Sequence, residues 1–143
     1  MVRTTITVVN YCGFTVWPGI SGGYPDLNIT GFELTKGNSR SFQPPDVWVG
    51  GLWGRTGCTF NGSGHGSCKT GDCGSSEMEC NGRSATPPVT VAKFHADEGS
   101  FFNEWSLDVS VMDGYNLQMT VETTTDASTY SFGGCPKRGC ATI

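Results

Sequence analysis

The stretch SLDVSVMDGYNLQMTVE, residues 106–122, gives the clearest indication of fold in this chain. Apolar residues occupy every second position from 107 to 111, before Asp113-Gly114, and again from 115 to 121 after it. Strict alternation is typical of a strand with one buried face. Asp-Gly between two such strands is the strongest short-range signal of a tight hairpin turn. The stretch therefore predicts a β-hairpin within an antiparallel sheet.

Other short segments have the same strand character. Their β-branched and aromatic residues are bounded by Gly and Pro, and no segment has the period of an amphipathic helix. The composition agrees, with 21 Gly, 7 Pro and only 15% charged residues. We expect an all-β chain built as an antiparallel β-sandwich. The further predicted strands are TITVVN (5–10), FTVW (14–17), SRSF (39–42), VWVGGLWGRT (47–56) and VTVAKF (89–94).

The bulk properties exclude several classes of partner. The formal net charge is -4 and the sequence pI is about 5.0. Nucleic-acid binding needs a basic face, so we expect no nucleic-acid partner. No apolar run is long enough to span a membrane. The start of the chain lacks the apolar core of a signal peptide, yet the cysteine content is typical of an oxidising compartment, so we expect a secreted protein.

The chain has seven cysteines, which is an odd number. Spacing alone does not fix their connectivity, but two pairs, Cys58 with Cys68 and Cys73 with Cys80, can each close a small loop. Three residues are then left unpaired or intermolecular: Cys12, Cys135 and Cys140. The paired Cys and His blocks of a zinc site are missing, so we expect no metal and no cofactor.

Six motifs in fixed order carry a resemblance to a known family. The chain resembles the thaumatin-like proteins, the plant pathogenesis-related class, from Thr5 to Cys140. The motifs are NYCGFTVWPG (10–19), TGFEL (30–34), LWGRTGCTF (52–60), CKTGDCG (68–74), ECNG (79–82) and DGYNLQM (113–119).

The resemblance implies a β-sandwich domain and a disulfide-rich second domain, with a cleft between them. It supports the pairs Cys58–Cys68 and Cys73–Cys80, and it implies partners for the other three cysteines in parts of the family that this chain lacks. We therefore expect an incomplete sandwich over residues 1–133 and the start of a truncated second domain over 134–143. The closing C-terminal strands of the family are expected to be missing. The open sheet edge and the free cysteines would then favour self-association.

The resemblance also implies an acidic cleft formed by an arginine, a glutamate and three aspartates. Gly51 stands at the arginine position and Lys93 at the glutamate position. Two aspartates are retained as Asp108 and Asp113, and the third lies beyond the match. These four residues are the candidate ligand-binding residues. From the residues alone, Asp108 is an ordinary polar position of a strand and Asp113 is an ordinary turn residue.

The lysine at the glutamate position decides the expected function. Glycoside hydrolysis needs one carboxylic acid and a second carboxylate, and lysine is a poor acid at neutral pH. Asp97, Glu98 and Glu104 are the carboxylates that can stand in. We expect a secreted plant defence protein that binds fungal β-1,3-glucan, another carbohydrate or a cell-surface protein without hydrolysing it. The alternatives are a weak endo-β-1,3-glucanase with antifungal activity, or a truncated product with little activity.

Two N-glycosylation sequons are present, at Asn28-Ile-Thr and Asn61-Gly-Ser. Both fall in predicted loops, as a secreted glycoprotein requires. Asn28 and Asn61 are therefore candidate modification sites.

Overall fold

The part of the chain that the structure describes folds into ten β-strands. The structure is a computed structural model that describes residues 5–24, 27–44, 48–96, 105–123 and 129–135. No helix occurs within these ranges, so the predicted all-β class is confirmed. The strands are β1 (Thr5–Asn10), β2 (Trp17–Tyr24), β3 (Ser39–Phe42), β4 (Val49–Arg55), β5 (Thr59–Phe60), β6 (Gly66–Ser67), β7 (Val91–Ala96), β8 (Trp105–Ser110), β9 (Met119–Thr123) and β10 (Thr129–Gly134).

Two four-stranded sheets form the sandwich. The first has the order β3-β1-β10-β9 and the second has the order β2-β4-β7-β8. All neighbours are antiparallel except β1 and β10, which are parallel. The strand predicted at residues 14–17 is displaced along the chain, because β2 begins at Trp17 and runs through Pro18 to Tyr24. There the Pro18 carbonyl accepts from the Phe32 amide at 3.2 Å, outside the sheet ladder.

The inner faces of the sheets form the main core. Alternation in β1 buries Ile6 and Val8, as the pattern predicts. They belong to one apolar cluster with side chains of the second sheet, among them Leu52 and Phe94. Trp48 is fully buried in this cluster, with its ring centroid 5.3 Å from that of Phe94. Full burial of each such side chain contributes about 1.5–3 kcal/mol.

The predicted hairpin over residues 106–122 is wrong. β8 pairs with β7 in the second sheet, whereas β9 pairs with β10 in the first. A turn does form between them, closed by the Gly114 amide donating to the Val111 carbonyl at 3.0 Å. The segment 111–118 then crosses from one sheet to the other. Alternation predicts the two strands, but it does not identify the neighbour with which each strand pairs. In β8 it does not identify the buried face either, because Val109 is exposed and Ser110 is buried.

The cysteine prediction needs a second correction. Cys12 and Cys135 are not unpaired, because they form a disulfide with a Cα–Cα distance of 5.0 Å. The parallel pairing of β1 with β10 places Asn10 opposite Gly134, and the two cysteines follow closely behind these residues. A pairing across 123 positions leaves no local trace in the sequence. Thiol-linked self-association through these two cysteines is therefore not expected.

The two short-range disulfides are present as predicted. Cys58 is bonded to Cys68 and Cys73 to Cys80. Cys140 lies outside the described residues. Of the expected second-domain start, only Gly134 and Cys135 are described.

Residues 56–90, called the small lobe here, contain both short-range disulfides and the small sheet of β5 and β6. The lobe packs on the outer face of the second sheet. Trp53 of that face is buried against Cys73, Cys80 and Val89 of the lobe. Its indole nitrogen donates to the Gly71 carbonyl at 2.8 Å. The lobe therefore covers one part of the outer face and leaves the neighbouring part open.

Candidate functional site

A row of four residues crosses the open part of the outer face. Ser21 of β2 lies opposite Gly51 of β4, Gly51 lies opposite Lys93 of β7, and Lys93 lies opposite Asp108 of β8. Directly opposed residues on adjacent strands project from the same face of a sheet. We call Ser21, Gly51, Lys93 and Asp108 the open row.

The open row forms the floor of a groove. Its volume is about 520 Å³, which is within the usual range for ligand sites. The small lobe contributes Ser84, Ala85 and Val89 to its lining. Asp113 also lines it, from the turn after β8. The groove thus lies between the sheet and the lobe.

All four candidate residues line this one groove: Gly51, Lys93, Asp108 and Asp113. Three of them are neighbours in the open row, and Asp113 reaches the groove through the crossing segment. The stand-in carboxylates proposed from the sequence are Asp97, Glu98 and Glu104, and all three lie outside the described residues. Within the described ranges, no cluster of three His, Cys, Asp or Glu side chains is placed to hold a metal ion.

Opposite charges meet at the centre of the groove. Lys93 and Asp108 are directly opposed across β7 and β8, and both side chains are exposed. A cross-strand pair of opposite charge stabilises a sheet by about 0.2–1 kcal/mol. Both groups remain accessible, so the ammonium can donate and the carboxylate can accept hydrogen bonds from a bound molecule.

Gly51 lies in a closely packed part of the groove floor and is itself buried. A Cβ at this position would lie 3.0 Å from Val91 Cγ1 and 3.3 Å from Ser21 Oγ. These contacts are tighter than usual, so a larger residue would require Val91 or Ser21 to shift. Glycine therefore lets the neighbouring side chains approach the backbone at this point of the open row.

Asp113 is positioned by the turn that packs on the end of the small lobe. Its backbone carbonyl accepts from the Val89 amide at 3.0 Å. Gly114, next in the chain, has a φ of 99°. A Cβ there would lie 2.9 Å from Pro88 Cβ. Glycine is required at 114 for both reasons, and this contact places the Asp113 carboxylate at the edge of the groove.

The tryptophans of the described sheet face do not offer a sugar-stacking surface. Trp53 lines the groove but is only 1% exposed, and Trp48 is completely buried in the main core. Of the four tryptophans, Trp17 is half-buried and the side chain of Trp105 is outside the description. The accessible lining of the groove that the structure describes therefore consists of polar side chains and small apolar ones.

Arg55 fixes the small lobe to the sheet. It is fully buried, and it donates to the carbonyls of Trp17 at 2.9 Å and Met78 at 2.8 Å. Burial lowers the pKa of Arg55, while the charges of Asp72 and Glu79 act in the opposite direction and raise it. These carboxylates compensate in part for the cost of burying the cation.

Asn116 has a second fixing role, which the sequence pattern did not reveal. Its side chain donates to the Gly54 carbonyl at 2.8 Å and to the Thr70 hydroxyl at 3.0 Å, and it accepts from the Thr90 amide at 2.9 Å. One amide thus joins the crossing segment and the sheet to Thr70 in the middle of the small lobe and Thr90 at its end. A polar residue inside an alternating run was the only available signal.

Comparisons with known proteins agree with the motifs. Residues 10–142 match the Thaumatin family. Thaumatin-like protein 1 of Arabidopsis thaliana is 51% identical over 144 residues, which is 96% of this chain and 54% of that protein. Pathogenesis-related protein 5 of Arabidopsis thaliana is 42% identical, covering 94% of this chain and 55% of that protein. The chain spans about half the length of these curated relatives.

A solved structure is similar over nearly its whole length. The structure of a thaumatin-like xylanase inhibitor superposes with a TM-score of 0.74 at 28% sequence identity, covering 92% of this chain and 99% of that one. No helix in the described part of this chain is long and apolar enough to cross a membrane. The ordered motifs, the disulfide-bonded sandwich and these matches lead to one conclusion: the chain belongs to the thaumatin family.

Proposed function

We propose that the chain is a non-enzymatic, secreted plant defence protein that binds β-1,3-glucan along the groove. The observation that supports this is the open row, in which the exposed side chains of Lys93 and Asp108 present a donor and an acceptor side by side in the groove. Sugar hydroxyls both donate and accept, so a mixed polar row suits a neutral glucan. Other surface partners, such as a cell-surface protein, would use the same groove.

The lysine in the row argues against hydrolysis. An acid and a second carboxylate must flank the scissile bond. Among the described lining residues, the carboxylates are Asp108 and Asp113, and both side chains are exposed. Lys93 occupies the position between Gly51 and Asp108, and an ammonium does not replace the acid. We therefore assign the groove to binding.

The direct test is retention on insoluble β-1,3-glucan. Lys93→Ala and Asp108→Ala should each weaken binding about fivefold, because a hydrogen bond contributes about 1 kcal/mol. Lys36→Ala and Glu33→Ala are the matched controls, since both residues are exposed and neither lines the groove. Equal losses in the controls, or no retention of the wild type, would count against glucan binding and favour a product with little activity.

A reducing-sugar assay on laminarin separates binding from catalysis. We expect no sugar release above that of the Asp108→Ala variant. Release that disappears in this variant would identify a weak endo-β-1,3-glucanase and overturn the non-enzymatic assignment.

A second candidate function is inhibition of a secreted xylan-degrading enzyme. It is supported by the similarity to a thaumatin-like xylanase inhibitor, which extends over 99% of that chain. Titration of a panel of xylanases tests it. A stoichiometric loss of xylanase activity would establish the function, and full activity at a tenfold molar excess would exclude it for the enzymes in the panel.

A further inference from the structure

A second pocket lies apart from the groove and shares no lining residue with it. We call it the side pocket; its volume is about 350 Å³. Its walls come from β2, from the segment 27–30 and from the segment 79–82. The lining residues are Ile20, Gly22, Leu27, Asn28, Thr30, Glu79, Asn81 and Gly82.

The polar wall of the side pocket is held in place by hydrogen bonds. One oxygen of Glu79, Oε2, accepts from the Thr30 amide at 2.8 Å, from the Thr30 hydroxyl at 2.5 Å and from the Gly31 amide at 3.0 Å. The Thr30 hydroxyl in turn accepts from the backbone amide of Asn81 at 3.1 Å. This network joins the two segments of the pocket and fixes the side chain of Glu79.

Two acceptor atoms of this wall remain available to a ligand. Within the described residues, Glu79 Oε1 and Asn81 Oδ1 accept no hydrogen bond. Leu27, which is half-buried, adds an apolar surface beside them. Two acceptors beside an apolar patch suit a ligand with several donors and one apolar face, as a pyranose sugar has.

Asn28 is a position at which such a sugar would be attached covalently. It is exposed on the rim of the side pocket, and with Ile29 and Thr30 it forms an N-glycosylation sequon. Glycosylation would join Asn28 Nδ2 to C1 of an N-acetylglucosamine. The diphosphate of a lipid-linked oligosaccharide donor would leave, and the amide nitrogen would lose one proton.

We propose that Asn28 carries an N-linked glycan and that its first N-acetylglucosamine occupies the side pocket. The sugar hydroxyls and the acetamido N–H donate to Glu79 Oε1 and Asn81 Oδ1. A tether makes this contact intramolecular, with an effective concentration in the millimolar range, so a weak site is occupied. Occupancy stabilises the folded chain, because the unfolded chain has no pocket.

The other sequon provides an internal control. Asn61 lies in an exposed turn, where its Oδ1 accepts from the amides of Ser63 at 2.9 Å and His65 at 3.1 Å. A Cβ at Gly62 or Gly64 would meet nothing within 4 Å. A glycan on Asn61 would therefore extend into solvent without a binding surface.

The test compares single-sugar forms of the protein secreted from yeast. Endoglycosidase H leaves one N-acetylglucosamine at each modified site, and mass spectrometry of the peptides reports occupancy. We expect Asn28 to be modified. After trimming, Asn28→Gln should melt about 4 °C below the wild type, which corresponds to a roughly tenfold occupancy ratio in the pocket. Asn61→Gln should remain within about 1 °C of the wild type.

The unglycosylated proteins distinguish the effect of the sugar on the melting temperature from the effect of the asparagine side chain. Made in bacteria, wild type and Asn28→Gln should melt at the same temperature. A loss of about 4 °C there would assign the effect to the asparagine itself and overturn the proposal. An unmodified Asn28, or equal melting temperatures of the trimmed Asn28→Gln and Asn61→Gln variants, would also overturn it.

Discussion

The two faces of the second sheet differ in what their residues contact. On the inner face, Leu52 and Ala92 are each only 1% exposed and pack in the main core. On the outer face, their chain neighbours Gly51 and Lys93 line a groove. Side chains that alternate along one strand therefore serve two separate purposes. The inner face determines the fold, whereas exposed positions of the outer face, such as Lys93 and Asp108, can change at little cost in stability.

The outer face is itself divided by the small lobe. Trp53 and Val91 lie opposite each other under the lobe and form a second apolar cluster with it. Gly51 and Lys93, two positions along the same strands, lie opposite each other in the open row. The structural part and the site part of the outer face thus lie on the same two strands, and Trp53, Arg55 and Asn116 hold the lobe over the structural part.

The largest loss of stability should come from removing the disulfide between Cys12 and Cys135. Replacing both Cys12 and Cys135 by Ala should lower the free energy of unfolding by about 5 kcal/mol, because the bond closes a loop of more than 100 residues. The same change at Cys58 and Cys68 should cost about 2.5 kcal/mol, because that loop spans 10 positions. Urea denaturation measures both. Equal losses would contradict the placement of Cys12 beside Cys135.

Truncating a side chain on each face should show that the two faces of the sheet contribute differently to stability. Leu52→Ala should cost about 2–5 kcal/mol, because a buried side chain leaves a cavity. Lys93→Ala, on the other face of the neighbouring strand, should change stability by less than about 0.5 kcal/mol. Thermal unfolding of the two variants tests this. A comparable loss for Lys93→Ala would show that the open row is part of the structural core.

Weakening the attachment of the small lobe should lower stability less, and it should make amide exchange in the lobe faster. Arg55→Leu should cost about 2 kcal/mol, since the carbonyls of Trp17 and Met78 lose a donor while the cost of burying a cation is removed. Amide exchange in residues 70–80 should become faster. Arg83→Leu, in an exposed part of the same lobe, is the control. Unchanged exchange in Arg55→Leu would mean that Trp53 and Asn116 hold the lobe without Arg55.

The sequence predicted individual strands better than their pairing. Alternation in β1 is a local property, and it predicts the buried residues Ile6 and Val8 correctly. In β8 it predicts the strand but not its buried face, because Val109 is 37% exposed while Ser110 is buried. The hairpin prediction was wrong because the same alternation of apolar and polar residues is compatible with two strands in different sheets. The Cys12–Cys135 bond was missed for a similar reason, since it depends on a parallel pairing between the two ends of the described chain.

The candidate site was predicted from motifs and not from local physics. Asp108 and Asp113 are ordinary positions of a strand and a turn when each is considered alone. Only the family resemblance grouped them with Gly51 and Lys93, and the register of β4, β7 and β8 then brings them to one groove. Asn116 and Glu79 were not identified, because a residue that joins distant segments by hydrogen bonds has no periodic signature.

The most direct test is an NMR titration of the protein with a linear β-1,3-glucan hexasaccharide. We expect the amide shifts to change at Gly51, Lys93, Asp108 and Asp113, with the inner-face residues Leu52 and Ala92 nearly unaffected. Shifts centred on the side pocket at Thr30 and Asn81, or no shifts at millimolar ligand, would contradict glucan binding in the groove.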